Sequence, residues 1–256
     1  MLLCLLALPL VSLVVRLSPA ELWSRLQQPV VLDALRLSLL TSASAACAVV
    51  LLGLPIAYLL ATRQFRGKRL VQTLVELPIV LPPTVAGLGL LLAFGRAGLA
   101  GGALRALGIT VPFTTLAVVV AQLFVATPFF ISAATAGLGA VERRYLEVAA
   151  TLRAPPGVTF FRVMLPLALP SLLGGIAMSW ARALGEFGAT ITFAGSLAGR
   201  TETMPLAVYG ALQSDLDGAV ALSVLLLVLS FAVLLGLRFA PWSAGIGIQG
   251  ARGHGP

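Results

Sequence analysis

Charge is what this chain has least of. Asp, Glu, Lys and Arg make up 10% of its 256 residues against 59% hydrophobic, and the mean hydropathy is +1.04. A soluble domain with that balance lacks the polar surface to stay dissolved, so the composition predicts an all-α, polytopic membrane protein. Histidine is nearly missing: His254, in the tail, stands alone, which leaves no His-based metal site and no His-dependent triad. The two cysteines, Cys4 and Cys47, lie inside apolar runs and read as small packing residues, not as a disulfide. The single lysine sits in Arg66-Gly67-Lys68-Arg69, without the G-x-x-x-x-G-K-[ST] phosphate loop, so the chain does not bind ATP by that route. There is no G-x-S-x-G, and Asp33, Glu142 and Glu147 form no acid pair by spacing. No catalytic residue and no metal ligand is expected, and an intramembrane enzyme is the weakest reading.

What is present is a series of apolar runs. A hydrocarbon core of about 30 Å needs roughly 20 helical residues. Six spans are expected, at 2–17, within 33–62, and at 70–94, 113–136, 163–194 and 218–237. The first lacks a basic start and a small-residue cleavage site, so it reads as a retained helix rather than a signal peptide. The 26 glycines and 16 prolines are compatible with helices in lipid. The tail, with Pro241, Gly245, Gly247 and Gly250, is expected to be loose.

The net charge of +8 raises nucleic acid as a partner, but the basic residues alternate with apolar spans, so a lipid bilayer and not nucleic acid is expected. Arg63, Arg66, Lys68, Arg69, Arg143, Arg144, Arg153, Arg162, Arg238 and Arg252 fall on one side. Arg16, Arg25, Arg96, Arg105 and Arg200 fall on the other. The positive-inside bias then puts both termini in the cytoplasm of a multi-pass protein of the cell inner membrane.

The richest of these basic loops is an island of charge, VERRYLEVAATLRAPPGVTFFRVMLP, at 141–166. It is too short for a domain but long enough for a short helix over 141–154, with Tyr145, Ala149 and Leu152 along one face. Glu142 near its start and Arg153 near its end suit the helix dipole. Pro155-Pro156-Gly157 ends it. Such a helix can dock into a groove on a soluble partner.

A second cluster lies in WARALGEFGATITFAGSLAGRTETMPLAVY, at 180–209. Arg182 and Glu186 are four apart on one face of an apolar helix. Ionisable residues within a membrane usually pair and face protein, so the two are either a structural ion pair or part of a pore lining. Gly185, Gly188 and Gly195 are expected to allow close helix approach. Thr84, Ser179, Thr190 and Thr192 offer hydroxyls to a passing anion or back-bond to their own helices. Pro78, Pro82 and Pro83 predict a static kink or a gating bend in the third span.

The island's spacing resembles the Glu-Ala-Ala loop of ABC-importer permeases. Glu147 and Ala149 match its start, and Val163, Leu165 and Pro166 its end. Where that family usually has glycine this chain has Arg153, which predicts a turn shifted toward Gly157. Gly185-Glu186-Phe187-Gly188-Ala189-Thr190, Thr192-Phe193-Ala194-Gly195 and Thr203-Met204-Pro205-Leu206 resemble the molybdate/tungstate branch. Leu77-Pro78-Ile79-Val80-Leu81-Pro82-Pro83-Thr84-Val85 is similar to it as well. Sulfate permeases share the Gly-Glu-Phe/Tyr-Gly core.

The resemblance implies a type I ABC-importer permease, one domain over 1–256 with its core at 33–238 and a coupling loop at 137–162. It implies contact with an ATP-binding subunit through Arg144, Glu147, Ala149, Ala150, Arg153 and Gly157. It implies a path or gate near Pro82, Pro83, Thr84, Ser179, Arg182, Glu186, Thr190 and Thr192. The implied partners are a second copy, two cytoplasmic ATP-binding subunits carrying ATP and Mg, and an extracytoplasmic molybdate-binding protein. No cofactor is expected in the chain itself. A sulfate or other oxyanion permease stays open. A secondary transporter is disfavoured, because no inverted repeat is visible and the charged island calls for an external motor.

Overall fold

The computed structural model describes residues 1–239; the expected loose tail and Arg252 and His254 lie outside the described residues. Those described are helical with turns between, and contain no strand. Four stretches are long and apolar enough to cross a bilayer: Pro29–Thr62, Thr115–Gly139, Pro156–Leu184 and Leu216–Val233. Two further helix pairs pass the same test only together and are sharply bent, which gives up to six spans when each pair counts as one.

The first pair is α1 (Leu2–Val15) and α2 (Pro19–Leu26), set at 77°. Ser18 divides them with a reciprocal capping box: its hydroxyl accepts from the Glu21 N–H while the Glu21 carboxylate accepts from the Ser18 N–H. Arg16 reaches Asp217 at 3.7 Å and Arg25 pairs with Asp215 at the head of α13 (Leu216–Phe239). The Gly218 N–H and then the Arg25 guanidinium hold the Asp215 carboxyl below its ordinary range.

The second pair sharpens an expectation. The third span bends at its prolines, but as a full break between α4 (Lys68–Val80) and α5 (Pro83–Phe94), turned through 117°. Pro82 and Pro83 supply no N–H to the ladder, and Leu81 before them is extended, at φ −69° and ψ 129°. Pro78, a turn earlier, is absorbed within α4. The fifth span is likewise interrupted: α10 (Leu165–Leu184) stops at Gly185 and α11 (Gly188–Ala194) follows.

At the centre stands α7 (Thr115–Gly139), packed against α3 (Pro29–Thr62) on one side and α10 on the other. Without a hydrophobic drive between helices in lipid, close packing of small residues does the work. A Cβ on Gly53 of α3 would stand 3.0 Å from the Phe130 ring, and one on Gly137 of α7 would stand 2.4 Å from Ser171 of α10. Phe130, Ile131, Leu138, Val49 and Leu172 fill the space between. Two hydrogen bonds fasten the layers. Trp180 Nε1 donates to Ser42 Oγ at 3.0 Å, and the Met204 N–H donates to buried Ser38 Oγ at 2.7 Å.

These contacts fix direction. α3 and α7 run parallel and α10 antiparallel, so Arg63, Lys68 and the 140–155 loop share one end of the bundle. Arg96 and Arg200 lie at the other. Leu51, Leu52, Leu92 and Phe231 point outward, each more than 60% exposed, as a lipid-facing surface requires.

Candidate functional site

Two places gather the residues singled out by sequence. The first is the charged loop. Its helix, α8, spans Arg143–Thr151, tighter than the expected 141–154. Arg143 Nε meets Glu147 Oε1 at 3.1 Å, one turn apart, with both side chains open to solvent. An exposed pair of this kind contributes about 0.3–0.5 kcal/mol. Arg144 Nε meets Glu142 Oε2 at 2.7 Å, and its guanidinium donates to the Tyr145 hydroxyl at 3.2 Å. The Tyr145 bond, then Glu142, raise the Arg144 pKa further above its ordinary value.

The predicted face is corrected. Ala149 is buried and Leu146 packs against the core, whereas Tyr145, Val148 and Leu152 are exposed. Those three lie along one flank of α8 next to Arg144, an exposed apolar strip, while Glu147 sits round the helix from Tyr145 and Leu152. Ala150 is exposed as well.

The turn after α8 is corrected too. It does not shift toward Gly157, which sits inside α9 (Pro156–Thr159). Arg153 itself takes the left-handed conformation, at φ +53°. Its N–H donates to Ala150 O at 2.9 Å and the Ala154 N–H to Ala149 O at 3.0 Å, the paired bonds of a Schellman cap. These bonds satisfy carbonyls that would otherwise be orphaned, so the cap forms even with a poor residue. A left-handed non-glycine residue costs about 1–2 kcal/mol, less the greater unfolded freedom of glycine. Arg153→Gly is therefore expected to stabilise the protein by about 0.5–1 kcal/mol, read as a higher melting temperature in detergent. A lower one would mean that the Arg153 side chain holds something.

Beyond the cap, α9 passes into a wide π-turn at Phe160–Met164 and straight into α10. From Pro156 to Leu184 the chain is one continuous helical stretch that joins the charged loop to the far end of α10. A π-turn within a helix often marks a functional site.

At that far end lies the second place. The Arg182 and Glu186 side chains pair with each other, Nη1 to Oε2 at 2.7 Å, with Glu186 1% exposed and Arg182 30%. The other carboxylate oxygen accepts the Ala189 N–H at 2.8 Å. One buried acid thus closes α10 and opens α11, where the helix's positive end favours it. This geometry accounts for the pair structurally, across the break.

The two broken spans meet here. A Cβ on Gly188 would come 2.7 Å from Pro83 Cβ, and one on Gly87 2.7 Å from both the Ala189 carbonyl and Thr192 Cβ. α5 and α11 therefore cross almost backbone to backbone, through one glycine from each. Gly188 meets its expectation. Gly185 does not, since nothing approaches nearer than 3.7 Å there. Gly195 serves another purpose, a left-handed turn at φ +69° beside the Phe113 ring.

The crossing sets Pro83 and Thr84 against Gly188, within two to four residues of Glu186, Thr190 and Thr192 along the chain. Thr84 is exposed on the open side, as are Pro82 and Pro83. The Thr192 hydroxyl donates to Gly188 O at 2.9 Å, the self-bonded state. Thr190 Oγ1 and Ser179 Oγ are buried and, among the described residues, have no partner. Gln122, not among the expected residues, is fully buried on α7, and its amide oxygen and nitrogen also lack partners among the described residues. A glutamine amid Val118, Ala121, Val125 and Ala126 was its visible signal.

The molybdenum transport system permease protein ModB of Mycobacterium tuberculosis is 46% identical over 231 residues, 90% of this chain and 88% of that one. The molybdate/tungstate transport system permease protein WtpB of Pyrococcus abyssi is 40% identical, over 66% of this chain and 63% of its own. A probable sulfate transport system permease protein of Zygnema circumcarinatum is 33% identical over 91% of this chain and 82% of its own. Among solved structures, a bacterial alginate ABC transporter in complex with its pentasaccharide-bound periplasmic protein superposes with a TM-score of 0.74 at 15% identity. The match covers 92% of this chain and 88% of that one, and supports the fold alone. Residues 50–240 match the family model for binding-protein-dependent transport system inner membrane components, and the chain belongs to that family.

Proposed function

We propose that this chain is the membrane-spanning subunit of an ABC importer for molybdate or tungstate. The 46% identity to a molybdenum permease over nine-tenths of the chain carries the reading. The Gly185–Gly195 segment that resembles that branch forms the crossing of α10, α11 and α5, which supports it.

In this reading two copies face each other across a central path, and each offers α8 to one ATP-binding subunit. ATP and Mg belong to those subunits. The strip of Tyr145, Val148 and Leu152 enters the partner's groove, while Glu147 and Arg144 fix its orientation. Closure of the motor moves α8, and the helical stretch from Pro156 to Leu184 carries that motion to the Glu186 joint. There α11 and α5 move as one crossed pair, with Pro82, Pro83 and Thr84 bordering the path. An extracytoplasmic binding protein delivers the dianion, and hydrolysis returns the permease to its inward-facing state. The basic loops, and so both termini, lie in the cytoplasm. Weak hydroxyl donors suit such a path, because a strong cationic site would trap the ion.

Sulfate is the second reading, favoured by the 33% identity to a sulfate-system permease. The deciding experiment is ATP-driven uptake by the reconstituted complex with its binding protein, offered molybdate, tungstate and sulfate in turn. Molybdate or tungstate should be taken up in preference; preference for sulfate would overturn the substrate assignment.

A further inference from the structure

At the end of the bundle opposite α8, a cleft of about 480 Å³ is lined by Arg96, Arg200, Thr110, Phe113 and Thr114, among others. The two arginines come from segments more than a hundred residues apart, one just past α5 and the other between α11 and α12 (Met204–Ala211). Arg200 is fixed from behind: its carbonyl accepts from Thr115 Oγ1 at 2.9 Å and its N–H donates to Leu197 O at 3.0 Å. Among the described residues neither guanidinium is in an ion pair, and no carboxylate lines the cleft.

The wall between the arginines is strained. Phe113 holds φ +59°, a conformation that bulky residues rarely adopt. Its N–H donates to Phe193 O at 3.4 Å and its ring rests against Gly195, so packing on α11 enforces the strain. Backbone strain of this kind persists where surroundings over-determine it, and it gathers at binding sites. Thr114 next to it caps α7, so the positive end of a 25-residue helix borders the cleft. The Thr114 hydroxyl is already engaged with Val111 O and the Ala117 N–H, which leaves Thr110 as the hydroxyl facing the space.

We propose that this cleft is a receiving site for the tetrahedral oxyanion, taking it as it leaves the binding protein and before it enters the path. Two guanidinium groups in one cleft match the charge of a dianion. Both arginines stand in water, so their attraction is weak and screened by salt, which lets the site collect a dianion without retaining it. The site is joined to the gate through Phe113, since the α11 that crosses α5 also holds this wall. The proposal rests on the oxyanion-importer reading above.

The test uses the full complex with its binding protein, as wild type, R96Q/R200Q and R96K/R200K, measured at about 50 and 200 mM salt. Uptake by the glutamine variant should fall about tenfold at low salt and lose its salt dependence, and the lysines should restore most of it. Docking of the loaded binding protein should stay within about twofold of wild type. Unchanged uptake would overturn the proposal. So would docking that weakens in step with uptake, because the arginines would then hold an acidic surface of the binding protein. Running each arm with molybdate, tungstate and sulfate separates the two ideas: a wild-type complex that moves sulfate alone defeats the substrate reading, and the arginine comparison is then read on sulfate. Crystals of the permease soaked in tungstate give an independent reading. A dense peak between Arg96 and Arg200 is expected in wild type and not in R96Q/R200Q; its absence from wild type contradicts the site.

Discussion

Gly188→Val abolishes oxyanion uptake and lowers stability by about 3 kcal/mol, at the upper end of the cost of overpacking. Even a lone Cβ here would stand 2.7 Å from Pro83 Cβ, and the proline ring cannot rotate away. Valine adds two methyl groups beyond that. The strain has few outlets, because Gly87 already brings α5 against the Ala189 carbonyl on the neighbouring turn. The crossing must open, which separates α5 from α11 and disturbs the Glu186 cap. Gly188→Ala, with one carbon in place of three, is expected to cost about 1–2 kcal/mol and leave partial uptake. Melting in detergent and uptake in vesicles together check both variants. A Gly188→Val complex that transports normally would show that the crossing yields freely.

Glu186→Ala is the second large effect. It leaves the Arg182 guanidinium without its partner in an apolar segment and strips the Ala189 N–H of its acceptor. Removing one member of a buried pair costs about 3–5 kcal/mol, and the partial exposure of Arg182 places this case near the lower end. Glu186→Gln keeps the volume and an oxygen for the Ala189 N–H, so about half of that loss should return. R182M/E186M tests the pair as a unit, since an apolar replacement of both members is often close to neutral. If its melting temperature recovers and uptake recovers with it, the pair only joins α10 to α11. If stability returns without uptake, the charges also act on the substrate path. A Glu186→Ala protein as stable as wild type would contradict the cap.

Much of this arrangement was legible in the residues. Hydrophobic run lengths gave the spans, and the i, i+4 spacing of Arg182 and Glu186 within an apolar helix gave the pair. What the sequence could not carry was geometry set at a distance. Pro82 and Pro83 announce a break, but the 117° turn depends on α5 lying down on α11 through Gly87, a glycine with no local mark. Tyr145, Ala149 and Leu152 fit a helical face by period, yet in the fold Ala149 is buried while Tyr145, Val148 and Leu152 are exposed. Arg153 argued against a left-handed turn by intrinsic preference. The two cap hydrogen bonds, local to the end of α8, outweigh that single-residue preference.

The claim beneath all of this is mechanical: α8 receives the motion of an ATP-driven partner and delivers it to the joint at Glu186. Glu147→Arg tests it most directly, because the Arg143–Glu147 pair contributes only about 0.3–0.5 kcal/mol to the fold, so the helix survives the change. The measurement is the ratio of oxyanion taken up to ATP hydrolysed in reconstituted vesicles, with assembly of the complex followed in parallel. The expected result is a ratio at least tenfold below wild type, or loss of the ATP-binding subunit from the complex. A Glu147→Arg complex that assembles and transports with the wild-type ratio would contradict it.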